Sequence, residues 1–253
     1  MKFHIITIFP DQLEKSLKYG VIGKAMEANI IELNLIDPRQ YSDNDYGSID
    51  DKPYGGGPGM VMECGPVLSS IEKAKQQTDK DTLTVFLTPQ GEQFTQKHAQ
   101  TFSEYKDIII VSARYEGLDE RIMELTNNSM ELSIGDYVLS GGEIPSAVIV
   151  DSVSRLIPGV LGDADSAKND SFSSGLLEHP HYTRPENIRG ETVPEVLLSG
   201  DHQAIEEWRM KKSLIKTLKK RPDLLDNIAV SYTHLRAHET PEHVGCRLLR
   251  AKK

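Results

Sequence analysis

The apolar positions of this 253-residue chain change their spacing repeatedly over its first 160 residues. "FHIITIF" (3–9) is apolar and β-branched and predicts a strand, and "IELNLID" (31–37) alternates apolar and polar residues as a strand does. Between them, "DQLEKSLKYGVIGKAMEA" (11–28) carries apolar residues at helical intervals behind Asp11, a candidate N-cap. A long polar loop ending in "YGGGPGM" leads to a helix expected from about Pro66 to Gln76. "TLTVFL" (82–87) and "DIIIVSA" (107–113) are near-continuous apolar runs, the pattern of strands covered on both faces. A helix is expected between them, from Glu92 to Tyr105, then a strand "MELSI" (130–134) and a helix "EIPSAVIVDSVSRLI" (143–157). This alternation predicts an α/β fold around a mostly parallel sheet.

After Leu161 the pattern stops. "GDADSAKNDSFSSG" (162–175) is small, polar and acidic, as a linker is. Beyond it the apolar spacing becomes helical, the longest stretch being "DHQAIEEWRMKKSLIKTLKK" behind a second candidate cap, Asp201. The division expected is an α/β domain over 1–161, a linker over 162–175 and a small helical domain over 176–230.

Composition adds three constraints. The formal net charge is −9, which argues against indiscriminate nucleic-acid binding. Yet residues 209–221 hold seven of the 29 Lys and Arg and no acid, so a polyanion could be held locally; a solvated helix face is the plainer alternative. The two cysteines, Cys64 and Cys246, imply no disulfide framework, and no apolar stretch approaches the roughly 20 residues that span a bilayer. With no signal-like start, a cytoplasmic protein without a membrane role is expected.

Three strands run into loops with special backbone needs: "TPQG" (88–91), "RYEG" (114–117) and "SIGDYVLSGGEIPS" (133–146). Loops at the carboxyl ends of parallel strands form ligand sites. None of the three contains a lysine and only Arg114 is basic, which disfavours a nucleotide phosphate. Backbone amides, apolar residues and the acids Glu116, Asp119 and Asp136 suit a ligand with an adenine-like ring and a positive centre.

"YGGGPGM", "LTPQG", "RYEGLDER", "SIGDYVLSGGE", "DSVSRLIPGVLG", "DSFSSGLLEHPHYTRP" and "VPEVLLSGDH" resemble, in this order, the bacterial tRNA (guanine-N1)-methyltransferases of the TrmD type, from about residue 1 to 229. The resemblance implies a SPOUT methyltransferase with a deep trefoil knot, binding S-adenosylmethionine in a bent shape. It implies a homodimer that shares its active sites and methylates N1 of guanine 37 of tRNA. Carried over by motif, Asp170 is the general base and Arg155 supports guanine O6. Phe86, Leu87, Thr88, Pro89, Gly91, Tyr115, Glu116, Gly117, Ile134, Gly135, Tyr137, Leu139, Gly141, Gly142 and Pro145 line the cofactor pocket. Gly56, Gly57 and Gly59, His181, Tyr182 and Arg184, and the basic-helix residues Lys211, Lys212, Lys216, Lys219 and Lys220 meet the RNA. A magnesium ion also belongs to the implied reaction, although the sequence offers no cage for one and no metal ligands are assigned. Two alternatives stay open: a SPOUT enzyme acting on another RNA, and an inactive RNA-binding homologue. The stretch 231–253 departs from the family; its His234, His238, His243 and Cys246 have zinc-like spacing but read better as a non-native tail.

Overall fold

A computed structural model describes residues 1–79, 82–162 and 170–226. The chain divides into two compact units, Met1–Ala167 and Lys168–Lys253. In the first, five strands form one parallel sheet: β1 (Lys2–Ile6), β2 (Glu32–Ile36), β5 (Leu83–Gln93), β6 (Asp107–Ser112) and β7 (Ser129–Ser133), in the order β2-β1-β6-β5-β7. β1 sits in register with β2 and β6, pairing Ile6 with Ile36 on one side and with Val111 on the other. A small ribbon, β3 (Asp50–Asp51) with β4 (Val61–Met62), carries the "YGGGPG" turn between its strands.

Period-two alternation splits the strand residues between two cores. Phe3, Ile5, Val85, Leu87, Ile108, Ile110 and Leu132 face four helices: α1 (Pro10–Leu17), α2 (Gly20–Glu27), α4 (Gln96–Ser103) and α6 (Glu143–Ser154). Ile6, Ile36, Phe86, Ile109 and Val111 face α3 (Cys64–Lys75) and the short α5 (Arg121–Leu125). Both faces are covered, as the continuous apolar runs predict.

Four expectations need correction. The segment 11–28 is two helices, because Tyr19 is extended (φ −109°, ψ 164°) and Gly20 takes φ +70°. Asp11 is not the cap: Phe9 holds that position, Pro10 opens the helix, and Asp11 lies in the first turn, where its charge suits the helix dipole. The "TPQG" loop does not end its strand. β5 resumes beyond it, and its register with β7 slips so that Leu132 is opposite both Leu87 and Glu92, with Thr88–Gly91 looped out between. The helix expected over 92–105 is correspondingly shorter, Gln96–Ser103.

The second unit contains a two-stranded hairpin, β8 (Asn187–Ile188) and β9 (Glu191–Thr192), and the helices α7 (His202–Lys220) and α8 (Asp223–Asp226). Asp201 caps α7 as predicted, its carboxylate accepting from the Gln203 and Ala204 N–H groups. Among the described residues no helix is long and apolar enough to cross a membrane.

Candidate active site

The three glycine-bearing segments lie on adjacent strands towards their carboxyl ends: 88–91 is looped out within β5, 113–117 follows β6, and 134–142 joins β7 to α6. Their glycines serve different purposes. A Cβ on Gly91 would overlap the β7 backbone at Glu131 and Leu132. At Gly142 it would lie 2.6 Å from Cα of Ser112, and the Gly142 N–H donates to the Ala113 carbonyl at 2.8 Å. At Gly141 it would occupy the place of the Arg114 guanidinium. Gly141 and Gly142 let the second and third loops close on each other, and Gly91 lets the bulge of β5 sit against β7. Gly117 differs: it has φ +130° and nothing within 4 Å of its Cβ position, so the space beside its Cα is open.

Gly135 (φ +150°) allows Tyr137 to fold back. The Tyr137 N–H donates to the Gly135 carbonyl at 2.8 Å and its hydroxyl to the Ile134 carbonyl at 3.2 Å, while the ring stays half exposed. Ser133 pins the same turn, its Oγ accepting from the Gly135 N–H and donating to the Gly135 carbonyl.

The middle loop is tied to the "YGGGPGM" segment. Glu116 N–H donates to the Met60 carbonyl, Met62 N–H to that of Gly117 and Asp119 N–H to that of Met62. A Cβ on Gly59 would collide with the Glu116 carboxylate, so that carboxylate lies directly against the glycine turn. Tyr115 holds φ +59°, an uncommon conformation for a bulky residue. Burial, and then the charge of the Asp50 carboxylate, hold its phenol above the ordinary tyrosine range. Behind the loops, Arg114 Nε donates to buried Glu143 at 2.8 Å, and Thr7 donates to the other oxygen of the same carboxylate. Arg121 pairs with Asp119 and holds that carboxyl below its usual range.

The family profile described as tRNA (Guanine-1)-methyltransferase TrmD matches residues 1–227. The chain belongs to this family. Similar proteins include the tRNA (guanine-N(1)-)-methyltransferases of Pseudoalteromonas atlantica (47% identical, covering 90% of this chain and 86% of the relative) and Methylococcus capsulatus (49%, covering 89% of each). That of Tolumonas auensis is 47% identical over 90% of this chain and 91% of its own.

Set against the TrmD motifs, the residues expected at the cofactor group around the three loops of the first unit, with Phe86 and Leu87 buried at their base. Pro145 stands in the first turn of α6. Arg155 does not join the Gly141–Gly142 turn: it caps the other end of α6, about 18 Å away for twelve residues of helix. Asp170 begins a tight turn of the second unit, its carbonyl accepting from Ser173 N–H, with Phe172 N–H donating to the Leu176 carbonyl. His181 is bonded to Glu178 at 2.6 Å and its ring lies 4.5 Å from that of His179. Lys216 donates to the Glu178 carbonyl rather than reaching outward.

The sequence reading missed two features here. Trp208 stands between Tyr182 (ring centroids 6.2 Å apart) and Lys212, whose ammonium lies 5.6 Å over the indole. Its i,i+4 spacing from Lys212 was the available signal. Glu143 enters the sequence only as the first residue of the helix expected over 143–157, and nothing in its neighbourhood in sequence signals a buried partner. Among the described residues no three His, Cys, Asp or Glu side chains could share a metal ion. The zinc-like spacing at His234, His238, His243 and Cys246 lies outside the described residues, as does the segment 163–169 of the expected linker.

Proposed function

We propose that the chain transfers a methyl group from S-adenosylmethionine to N1 of guanine 37 of tRNA. The observation that carries this reading is the placement of three lysine-free glycine segments on the adjacent strands β6, β5 and β7, towards their carboxyl ends, in a chain matched to the TrmD family over residues 1–227. The donor fits the residues present. Gly117 opens onto space, the partly exposed Tyr137 and Leu139 offer apolar surface, and the Glu116 carboxylate lies beside the same loop. Apolar walls with one acid and no lysine suit an adenine ring and a sulfonium. Thr88, Pro89, Tyr115, Glu116, Gly117, Ile134, Tyr137 and Leu139 would hold it, and Gly91, Gly135, Gly141 and Gly142 would shape the loops that do so. When bound, the donor supplies an electrophilic methyl group.

The rest is proton and charge management. Neutral guanine carries a proton on N1, which the Asp170 carboxylate accepts. Negative charge then spreads to O6, where the Arg155 guanidinium donates a hydrogen bond. Within one chain Arg155 and the Gly141–Gly142 turn stand at opposite ends of α6, which supports a site completed across a homodimer. Ile144 and Val148, one turn apart and exposed on α6, and the exposed Val138 supply apolar surface for that partner. The trefoil knot belongs to the same reading, supported by the closeness of Gly142 to the end of β6. Tyr182, Arg184, Lys211 and Lys212 meet the RNA, and the target base leaves its stack to reach the donor. Gly59 brings backbone close to that base.

Incubation with methyl-labelled donor and tRNA transcripts, followed by nucleotide mapping, tests the proposal. One methyl on N1 of guanine 37, absent when that base is adenine, is the expected result. A methyl on another nucleotide favours the alternative of a SPOUT enzyme with a different target. Donor binding without transfer to any RNA favours an inactive homologue.

A further inference from the structure

We propose that Glu143 is a positioning residue that fixes the separation of the two loops after β6 and β7, and so sets donor affinity; this rests on the donor reading above. Glu143 is 2% exposed, and each of its oxygens receives one donor: Thr7 hydroxyl to Oε1 and Arg114 Nε to Oε2, both at 2.8 Å. Each partner is itself anchored. Thr7 is fully buried and accepts the Phe9 N–H at 3.0 Å, and the Phe9 ring lies 4.6 Å from the Arg114 guanidinium. Arg114 reaches further, its NH1 donating to the Ser140 carbonyl at 3.0 Å while its own N–H points to the Met62 sulfur at 3.3 Å.

The result is a clamp on three chain segments: the end of β1, the start of the 114–117 loop and the turn into α6. Its two working ends adjoin the donor loops. Arg114 immediately precedes Tyr115, Glu116 and Gly117, and Ser140 immediately precedes Gly141 and Gly142. Simple stabilisation accounts poorly for such a device. Taking a carboxylate and a guanidinium out of water costs much of what their attraction returns, and an apolar pair of equal size would serve stability as well or better. What an apolar pair would lack is direction. The planar guanidinium fork fixes two acceptors, Glu143 and Ser140, at one separation, whereas a lysine in its place reaches one.

Three variants of the full chain test this by two readouts. Glu143→Gln keeps shape and loses charge, Arg114→Lys keeps charge and loses the fork, and Thr7→Val removes one donor at constant size, with Thr7→Ser as its rescue. The first readout, amide hydrogen exchange without ligand, does not depend on the donor reading. The Gly142 and Glu116 amides are expected to exchange about tenfold faster in Glu143→Gln and Arg114→Lys, with β6 and α3 unchanged. The second is donor affinity by calorimetry. The dissociation constant is expected to rise about tenfold in these two variants and less in Thr7→Val, with wild-type affinity restored in Thr7→Ser. Unchanged exchange at Gly142 and Glu116, or a uniform rise across every peptide with a lowered melting temperature, overturns the clamp. Wild-type protein that fails to bind the donor ends the donor reading and with it the stated role in affinity, while the exchange result still decides whether the loops are coupled.

Discussion

At the ends of β5, β6 and β7 the side chains are held from several directions: both Glu143 oxygens are occupied, and Gly91 and Gly142 press on neighbouring backbone. On α7 Ser213, Lys216 and Thr217 are tied to the protein, but its other lysines and its acids stand in water. Lys212 is exposed, and its contact with Trp208 is a cation over a ring on the same helix. The contrast fits the two tasks proposed for these regions. Methyl transfer needs reacting atoms placed within a fraction of an ångström, which calls for a preorganised, over-determined site. Holding an RNA backbone calls for cations that move, bind through counterion release and respond to salt.

Asp170 crosses this division, since it lies in the second unit but is assigned chemistry. Asp170→Ala is expected to lower the methyl-transfer rate by about 10²- to 10⁴-fold while donor affinity by calorimetry stays near wild type. An undiminished rate removes the base assignment. For the first region, Gly142→Ala forces a Cβ against backbone that cannot yield and is expected to cost about 1–3 kcal/mol in urea unfolding, with donor binding lost. The second unit offers the control. Gly190, at φ +92° in the hairpin turn, has open space around its Cβ position, so Gly190→Ala should cost only the backbone strain of about 1 kcal/mol. Equal losses at the two positions would mean that the loop cluster is no tighter than a surface turn. A smaller effect is expected on α7: Lys212→Ala should weaken tRNA binding several-fold and reduce the slope of log affinity against log salt by about one. An unchanged slope would remove Lys212 from the RNA contacts.

The weakest expected effect lies on the inner strand β1, away from the loops. His4 is fully buried; its Nδ1 accepts from Asn34 at 2.8 Å, and Nε2 is 3.4 Å from Asp107. Burial pushes its pKa below the usual 6.5, outweighing the Asp107 carboxylate. The unfolded chain then binds the proton more readily. The stability that neutral His4 contributes is therefore present above about pH 6.5 and is lost as the pH falls towards its folded pKa. The urea midpoint should drop on acidification through that range, and less so in His4→Gln; parallel pH profiles would assign the drop to other groups.

Much of the fold was legible because parallel strands covered on both faces write continuous apolar runs: "TLTVFL" and "DIIIVSA" could hardly be anything else. The break at Tyr19–Gly20 was harder to see, since helical spacing continues across it and only the conformation of Gly20 interrupts the helix. The return of β5 after "TPQG" was hidden because a looped-out segment carries the same turn residues as a loop that ends a strand. Of the site, the glycine loops and their want of phosphate chemistry were visible, and motif resemblance supplied the roles. What remained invisible was the pairing behind them. Thr7, Arg114 and Glu143 are separated by up to 136 residues, and no local pattern records a contact made by topology.

The most direct measurement is a crystal structure of the protein soaked with S-adenosylmethionine. The donor should lie among Thr88–Gly91, Tyr115–Gly117 and Ile134–Gly142, its adenine enclosed by backbone and its sulfonium methyl turned outward towards the base. Density for the donor at any other place on the chain, with these loops empty, would contradict the account.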